Sequence, residues 1–194
     1  PDRKEKEYGQ TITEYTWSIS DGSLAGEDLL DDLNVNVSLT AGDAEKESCE
    51  VGTYEITEKA PTTVENQNYV VTFEPGILIV QPKPVDVVWN TDGTIIYTGK
   101  EVNVTAELSG VLFKDECKAV VEDGNAVEPG KYTASIVGLT GEQCYNYVLH
   151  GDDDEYQMEY QIVKKEETKN PTDSKETSTG TAGKKPTGTS ASGK

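Results

Sequence analysis

Two stretches decide the fold: EVGTYEI at residues 50–56 and EPGKYTASI at residues 128–136. Each places an acidic residue, a Gly and a Tyr ahead of an alternating run of apolar and polar residues. Period-two alternation is typical of a half-buried β-strand. The Gly allows a sharp entry into the strand, and the Tyr can bury its ring while its hydroxyl finds a partner at the edge. We therefore predict a strand at each stretch.

The two stretches are also landmarks of a longer repeat. In each half of the chain an Asn-Tyr pair begins 16 residues after the Gly, and each half ends in an apolar run, ILIV at 77–80 and YQIV at 160–163. Matching spacings predict two copies of one supersecondary plan. The landmarks are Gly52, Tyr54, Asn68 and Tyr69 in the first copy, and Gly130, Tyr132, Asn146 and Tyr147 in the second. We interpret their tyrosines as packing residues, with ligand stacking as the alternative.

The sequence pattern between residues 8 and 163 predicts a mostly-β fold of two tandem small β-domains, residues 8–82 and 83–163. Alternating runs separated by Gly, Asp and Asn turns recur along it, among them TITEYTWSI at 11–19 and YVVTF at 69–73. In the run LAGEDLLDDL at 24–33 the leucine spacing instead predicts a short helix. The boundary falls at QPKPV, 81–85, because two prolines favour a stiff, extended connector.

The two ends of the chain differ from this body. Residues 1–7, PDRKEKE, are interpreted as a polar lead-in. Residues 164–194 contain no large apolar residue and are rich in Thr, Ser, Gly and Lys. Such a segment buries too little surface to offset the entropy of ordering it, so we predict a disordered linker. The start at Pro1, without an export signal, favours a fragment of a longer precursor.

The charge of the chain excludes some classes of partner. The chain has 17 Lys and Arg against 36 Asp and Glu, a net charge of −19. Nucleic-acid binding depends on clustered basic residues that neutralise phosphates, so we expect no nucleic-acid partner. The same repulsion argues against an anionic membrane surface, and no apolar run is long enough to span a bilayer.

Candidate chemistry is sparse. The one histidine, His150, is interpreted as a surface residue, and no Cys-x-x-Cys motif indicates a zinc site. The acidic run Asp152, Asp153, Asp154 and Glu155 is interpreted as a solvated loop, with a weak divalent-cation site as the alternative. We therefore assign no catalytic residue, no cofactor-binding residue and no cofactor.

Three cysteines leave at least one thiol outside any intrachain pair. Cys117 and Cys144 lie in the same predicted domain and are candidates for a disulfide, although the residues alone leave the pairing open. Cys49 is interpreted as an ordinary buried thiol.

The order of motifs in the first copy resembles an MBG-type module of the YGX kind. The resemblance rests on Tyr8-Gly9, Tyr15-Thr16, Gly26-Glu27-Asp28, Val51 to Ile56, Asn68 to Val71, Gly76 to Val80 and Pro82-Lys83. Residues 86–164 resemble a divergent relative that lacks the GED segment. The resemblance implies an Ig-like β-sandwich, or alternatively a β-grasp-like fold with one short helix, and it transfers no catalytic residues.

Modules of this kind occur in tandem in large exported bacterial proteins, many of them adhesins, so the resemblance implies a location on the cell surface. We expect a non-enzymatic structural or adhesive stalk, attached to a Gram-positive cell wall or secreted, whose partners are neighbouring modules of the same protein. One alternative is a module that binds a host glycan or glycoprotein. Another is an accessory domain of a large extracellular enzyme.

Overall fold

The chain folds into β-sheets joined by turns and by longer irregular segments, in a computed structural model that describes residues 1–165. Here the first half means residues 1–82 and the second half means residues 83–165. Residues 1–164 form one compact unit. Almost all of the linker predicted at 164–194 lies outside the described residues.

The first half forms one four-stranded sheet. Its strands are β1 (Lys4–Glu7), β2 (Val35–Thr40), β3 (Gly52–Val64) and β4 (Gly76–Gln81), and two 3₁₀ turns lie at Leu30–Leu33 and Gly42–Glu45. The order across the sheet is β1-β4-β3-β2. Strand β1 runs parallel to β4, whereas β3 is antiparallel to both of its neighbours.

The second half contains three sheets. Its strands are β5 (Lys83–Trp89), β6 (Thr94–Ile96), β7 (Val102–Asn103), β8 (Ala106–Ser109), β9 (Lys118–Glu122), β10 (Asn125–Ala126), β11 (Gly130–Thr140), β12 (Tyr147–Leu149) and β13 (Gln157–Val163), with a 3₁₀ turn at Cys144–Asn146. The orders are β6-β13-β11-β9, β12-β5-β8 and β10-β7.

The two four-stranded sheets repeat one arrangement. In each, the first strand runs parallel to the last, and the last is antiparallel to the strand that begins with the landmark Gly. Gly52 lies opposite Val80, and Gly130 lies opposite Ile162. In both halves, the backbone N–H of a tyrosine extends the hydrogen-bond ladder between the two parallel strands. Tyr8 donates to Gln81 at 2.9 Å, and Tyr97 donates to Val163 at 2.8 Å.

Each four-stranded sheet has its own apolar cluster. In the first half the buried members are Ile12, Ala44, Ile56 and Leu78. In the second half they are Val104, Ala126, Ala134, Tyr160 and Ile162, and Trp89 of β5 packs against them. A third cluster draws buried residues from both halves: Tyr8, Val80, Val85, Cys117 and Tyr147.

Three interpretations of the sequence need correction. The predicted strands at 11–19 and 69–73 form no strand. The predicted helix at 24–33 is reduced to one 3₁₀ turn, Leu30–Leu33, in which only Leu33 is buried. Residues Lys4–Glu7, interpreted as part of a polar lead-in, form β1. The alternating pattern alone did not predict the strands correctly, because a strand also needs a pairing partner. Strand β1 has such a partner in β4, although its residues are charged.

Candidate functional site

The Gly-x-Tyr stretches fold into the same corner in both halves. The hydroxyl of Tyr54 donates to the carbonyl of Glu50 at 2.8 Å, and that of Tyr132 donates to the carbonyl of Glu128 at 2.8 Å. In both corners a Cβ added to the Gly would lie 3.3 Å from the tyrosine hydroxyl, because the ring lies over the Gly. These tyrosines are thus tied to the backbone four residues earlier, a structural use of the hydroxyl.

A second repeated device involves the tyrosines of the Asn-Tyr pairs. The hydroxyl of Tyr69 accepts the N–H of Ala25 at 2.8 Å and donates to Asp28 at 2.7 Å. We call this arrangement, a tyrosine hydroxyl held between a backbone N–H and the carboxylate three residues later, a tyrosine clasp.

The second half contains the same clasp. The hydroxyl of Tyr147 accepts the N–H of Leu112 at 2.9 Å and donates to Asp115 at 2.6 Å. In both clasps the turn is closed by a backbone hydrogen bond, from Asp28 to Ala25 at 3.2 Å and from Asp115 to Leu112 at 2.9 Å. The stretch that lacks the GED motif therefore builds the same turn with other residues.

The second clasp also receives a residue from the first half. The hydroxyl of Tyr8 donates to Asp115 at 2.8 Å, so one carboxylate accepts two tyrosine hydroxyls. The ring of Tyr8 meets the rings of Tyr147 and Phe113 edge to face, with centroids 5.5 and 5.6 Å apart. We call this contact between the halves the junction.

Burial strengthens the junction. Tyr8 is 4% exposed and Tyr147 is 5% exposed. Burial, followed by the hydrogen bond to Asp115, raises the pKa of Tyr147 to about 12. The same two causes raise the pKa of Tyr8 above its ordinary value. Both hydroxyls therefore stay protonated and donate at neutral pH.

One landmark asparagine also belongs to the junction. Asn146 is fully buried, and its side-chain oxygen accepts the backbone N–H of Val51 at 2.9 Å. Its counterpart Asn68 is exposed in a turn, where its backbone N–H is held by Asn66. Equal spacing in the sequence thus places the two asparagines in different environments, since Asn146 bonds to the other half and Asn68 bonds within its own turn.

The structure joins Cys117 and Cys144, both of the second half, by a disulfide that lies next to the junction. Their Cα atoms lie 4.8 Å apart across a sequence separation of 27. Asp115 comes two residues before one cysteine, and Asn146 comes two residues after the other. Cys49 is a half-buried free thiol, so it is less buried than we predicted.

The acidic run forms a turn at the surface and does not converge on an ion site. Asp152, Asp153 and Asp154 line a surface cavity of about 370 Å³ together with Gly151 and Tyr156. Across residues 1–165, no group of three or more His, Cys, Asp or Glu side chains is placed to hold a metal ion.

The histidine is exposed and paired. Nδ1 of His150 lies 3.0 Å from a carboxylate oxygen of Asp86, and this hydrogen bond raises the pKa of the imidazole. Among the described residues, no serine, threonine or cysteine side chain forms a hydrogen bond with the imidazole of His150. The arrangement is therefore a surface ion pair.

Sequence reasoning missed the junction. Tyr8 was considered only as part of the Tyr8-Gly9 motif, and Phe113 and Asp115 were not singled out at all. A signal was present, since VLFKDEC at 111–117 places three apolar residues, one of them aromatic, shortly before a cysteine of the candidate disulfide. Contacts 107 residues apart, such as that of Tyr8 with Asp115, leave no periodic trace in a sequence.

Comparison with known protein families gives a match over part of the first half. The model of a family described as MBG domain (YGX type) matches residues 1–79. The match supports an MBG-type module there, and such domains are non-catalytic modules that suggest an extracellular surface protein. Comparison with curated proteins and with solved structures gives no significant match. In the part of the chain that the structure describes, no helix has the length and apolar character needed to cross a membrane.

Proposed function

We propose that the chain contains two tandem modules of one Ig-like β plan, residues 8–82 together with β1 and residues 83–163. The repeated sheet order, the two corners and the two tyrosine clasps support the duplication. In the second module, Trp89 packs against the core of the four-stranded sheet, which supports a second sheet lying over the first. The β-grasp alternative is less well supported, because the helices of residues 1–165 are single 3₁₀ turns.

The pair serves as a non-enzymatic stalk or spacer of an exported bacterial surface protein, with adhesion as a role of the same class. The observation that supports this role is the junction, in which Tyr8 is buried between two rings and bonded to Asp115. A buried, hydrogen-bonded contact holds two modules at a fixed angle, whereas a bare linker would let them swing. A spacer needs such a joint, and its partners are the neighbouring modules of the protein.

Replacement on a cell surface tests the role. The whole chain is placed between a cell-wall anchor and an epitope, and access of antibody-coated beads to the epitope is measured. A Gly/Ser linker of equal length should reduce access, because a flexible chain collapses, whereas two unrelated rigid β-domains should restore it. Equal access with the flexible linker would contradict a spacer role.

The same cells distinguish adhesion by ligand binding. Cells that display the pair are applied to arrayed glycans and host glycoproteins, next to cells that display the unrelated domains. Capture above this control would identify a specific ligand and assign the pair to the binding class. No difference would leave the spacer as its function.

A further inference from the structure

Two irregular segments of the first half have strand-like sequences but no strand partner. They are residues 17–20, WSIS, and residues 69–73, YVVTF. Within residues 1–165, no backbone–backbone hydrogen bond involves residues 17–20, and the only one at 69–73 links Tyr69 to Asn66 in a local turn. Val70 is 95% exposed and Ile19 is 47% exposed. Free edges with exposed apolar side chains are unusual in a folded β-protein.

The second half shows what such segments do when a partner is present. There β5 lies between β8 and β12 and pairs with both. It runs antiparallel to β8, with Val87 opposite Leu108, and parallel to β12, with Val85 opposite Leu149. Val85 is 1% exposed as a result.

The first free segment corresponds to β8. In the second half, the ladder of β5 and β8 is continued by the N–H of Asn90, which donates to the carbonyl of Thr105 at 3.0 Å. In the first half, the N–H of Asp2 donates to the carbonyl of Thr16 at 2.9 Å. Ile19 lies three residues after Thr16, and Leu108 lies three residues after Thr105, so Ile19 has the position of Leu108. A positive-φ glycine follows in both halves, Gly22 and Gly110.

The second free segment corresponds to β12. Tyr147 is the first residue of β12, and Tyr69 is the first residue of the free segment. The two tyrosine clasps fix both residues to the turn that follows the first edge, with the same donors and acceptors. The two edges of the first half are therefore tied together in the way that β8 and β12 are tied, but the first half has no equivalent of β5.

We propose that these edges form an acceptor site for one β-strand, and that its occupant is the polypeptide joined to Pro1 on its N-terminal side. The bond from Asp2 to Thr16 places Pro1 opposite Trp17, where the acceptor site begins. Pro1 thus has the position that Trp89, opposite Ala106, has at the end of β5. The strand would run antiparallel to residues 17–20 and parallel to 69–71. Backbone hydrogen bonds supply its affinity, and apolar side chains at alternate positions, as in β5, supply its specificity.

The test fuses a copy of residues 83–88, KPVDVV, directly to Pro1 of the full chain. This register puts the copy of Val87 opposite Ile19 and the copy of Val85 on the same face. Hydrogen exchange of the amides at 17–20 and 69–73 is measured in the fused and unfused chains. We expect exchange of these amides to slow about tenfold or more in the fusion, while amides of β11 are unchanged.

A matched fusion, KPDDDV, replaces the two inward-facing valines of the copy by Asp and should give no protection. Equal exchange in the KPVDVV fusion and the unfused chain would overturn the proposal, as would equal protection by both fusions. The unfused chain could instead show protection that rises with protein concentration. This result would assign the edges to a second copy of the chain and would also overturn the proposal. None of these outcomes depends on the spacer role, which the display experiment measures separately.

Discussion

At the scale of single residues, the two halves use tyrosine hydroxyls to hold the backbone. The corners of Tyr54 and Tyr132 have the same hydrogen-bond length and the same packing over a Gly. A tyrosine that stacked on a ligand would need a free ring face. The hydroxyls of these two tyrosines and the ring faces over the glycines are used within the fold.

Removing either corner hydroxyl should lower stability by a similar amount. We expect Tyr54→Phe and Tyr132→Phe each to reduce the free energy of unfolding by about 1 kcal/mol, since a net hydrogen bond is lost. Urea denaturation measures the change. Tyr97→Phe is the control, because no hydrogen bond of the Tyr97 hydroxyl is found in residues 1–165. A loss at one corner but not the other would contradict their equivalence.

The two landmark asparagines should respond differently. Asn146→Ala removes a fully buried side chain and the acceptor of the Val51 N–H, which should cost about 1–3 kcal/mol of unfolding free energy. Asn68→Ala removes an exposed side chain and should change stability by less than about 0.5 kcal/mol. Thermal unfolding of the two variants compares them, and equal losses would show that spacing, rather than the junction, determines the role of the asparagine.

Residue types predicted corners well and contacts poorly. Gly52 and Tyr54 were found because a Gly followed by an alternating run is a local signal. The burial of Asn146 could not be found in this way, since it depends on Val51, 95 residues away.

At the scale of elements, strand prediction succeeded where a run had both alternation and a partner. The alternating runs NVNVSL, VDVVW and YQMEYQIV form β2, β5 and β13. TITEYTWSI and YVVTF have equal alternation and form no strand. Lys4–Glu7 has a charged sequence and forms β1, because β4 offers a parallel edge. Pairing is a property of the assembled sheet and is not encoded in one segment.

The disulfide should stabilise the second half through its loop. Closing a loop of this length contributes about 3–4 kcal/mol in the chain-entropy description. We expect the double variant Cys117→Ser, Cys144→Ser to lose stability of this order in urea, and Cys49→Ser to lose much less. A double variant as stable as the parent chain would show that the bond does not constrain the unfolded chain.

The clasp at the junction should weaken in alkali. The folded-state pKa of Tyr147 is about 12, above the ordinary value of 10.0. A raised pKa means that the folded state holds its proton more tightly, so this contribution is complete below pH 10 and is lost as pH rises toward 12. Thermal midpoints between pH 9 and about pH 11.5 should fall more steeply in the parent chain than in Tyr147→Phe. Parallel curves would contradict the assigned cause.

At the scale of the whole molecule, the junction should make residues 1–163 orient as one body. A Cβ at Gly9 would lie inside contact distance of the Leu112 side chain, and Gly9 also has a φ of +90°. Gly99 has a φ of +75° but open space around its Cβ position. Gly9→Val should therefore separate the halves, whereas Gly99→Val imposes backbone strain without a clash.

Residual dipolar couplings measure this directly. In the parent chain and in Gly99→Val, both halves should fit one alignment tensor, and in Gly9→Val they should need two. Separate tensors in the parent chain would show that the junction does not fix the angle between the halves and would weaken the spacer proposal.

The link between the halves is a single residue, Pro82, since β4 ends at Gln81 and β5 begins at Lys83. Both strands are interior: β4 lies between β1 and β3, and β5 lies between β12 and β8. A force applied along the chain is therefore transmitted from one central strand directly to another. To yield, either strand must shear against two neighbours at once, which resists force far better than peeling a free edge. Mechanical strength would then be concentrated at the point where a flexible linker would give way first.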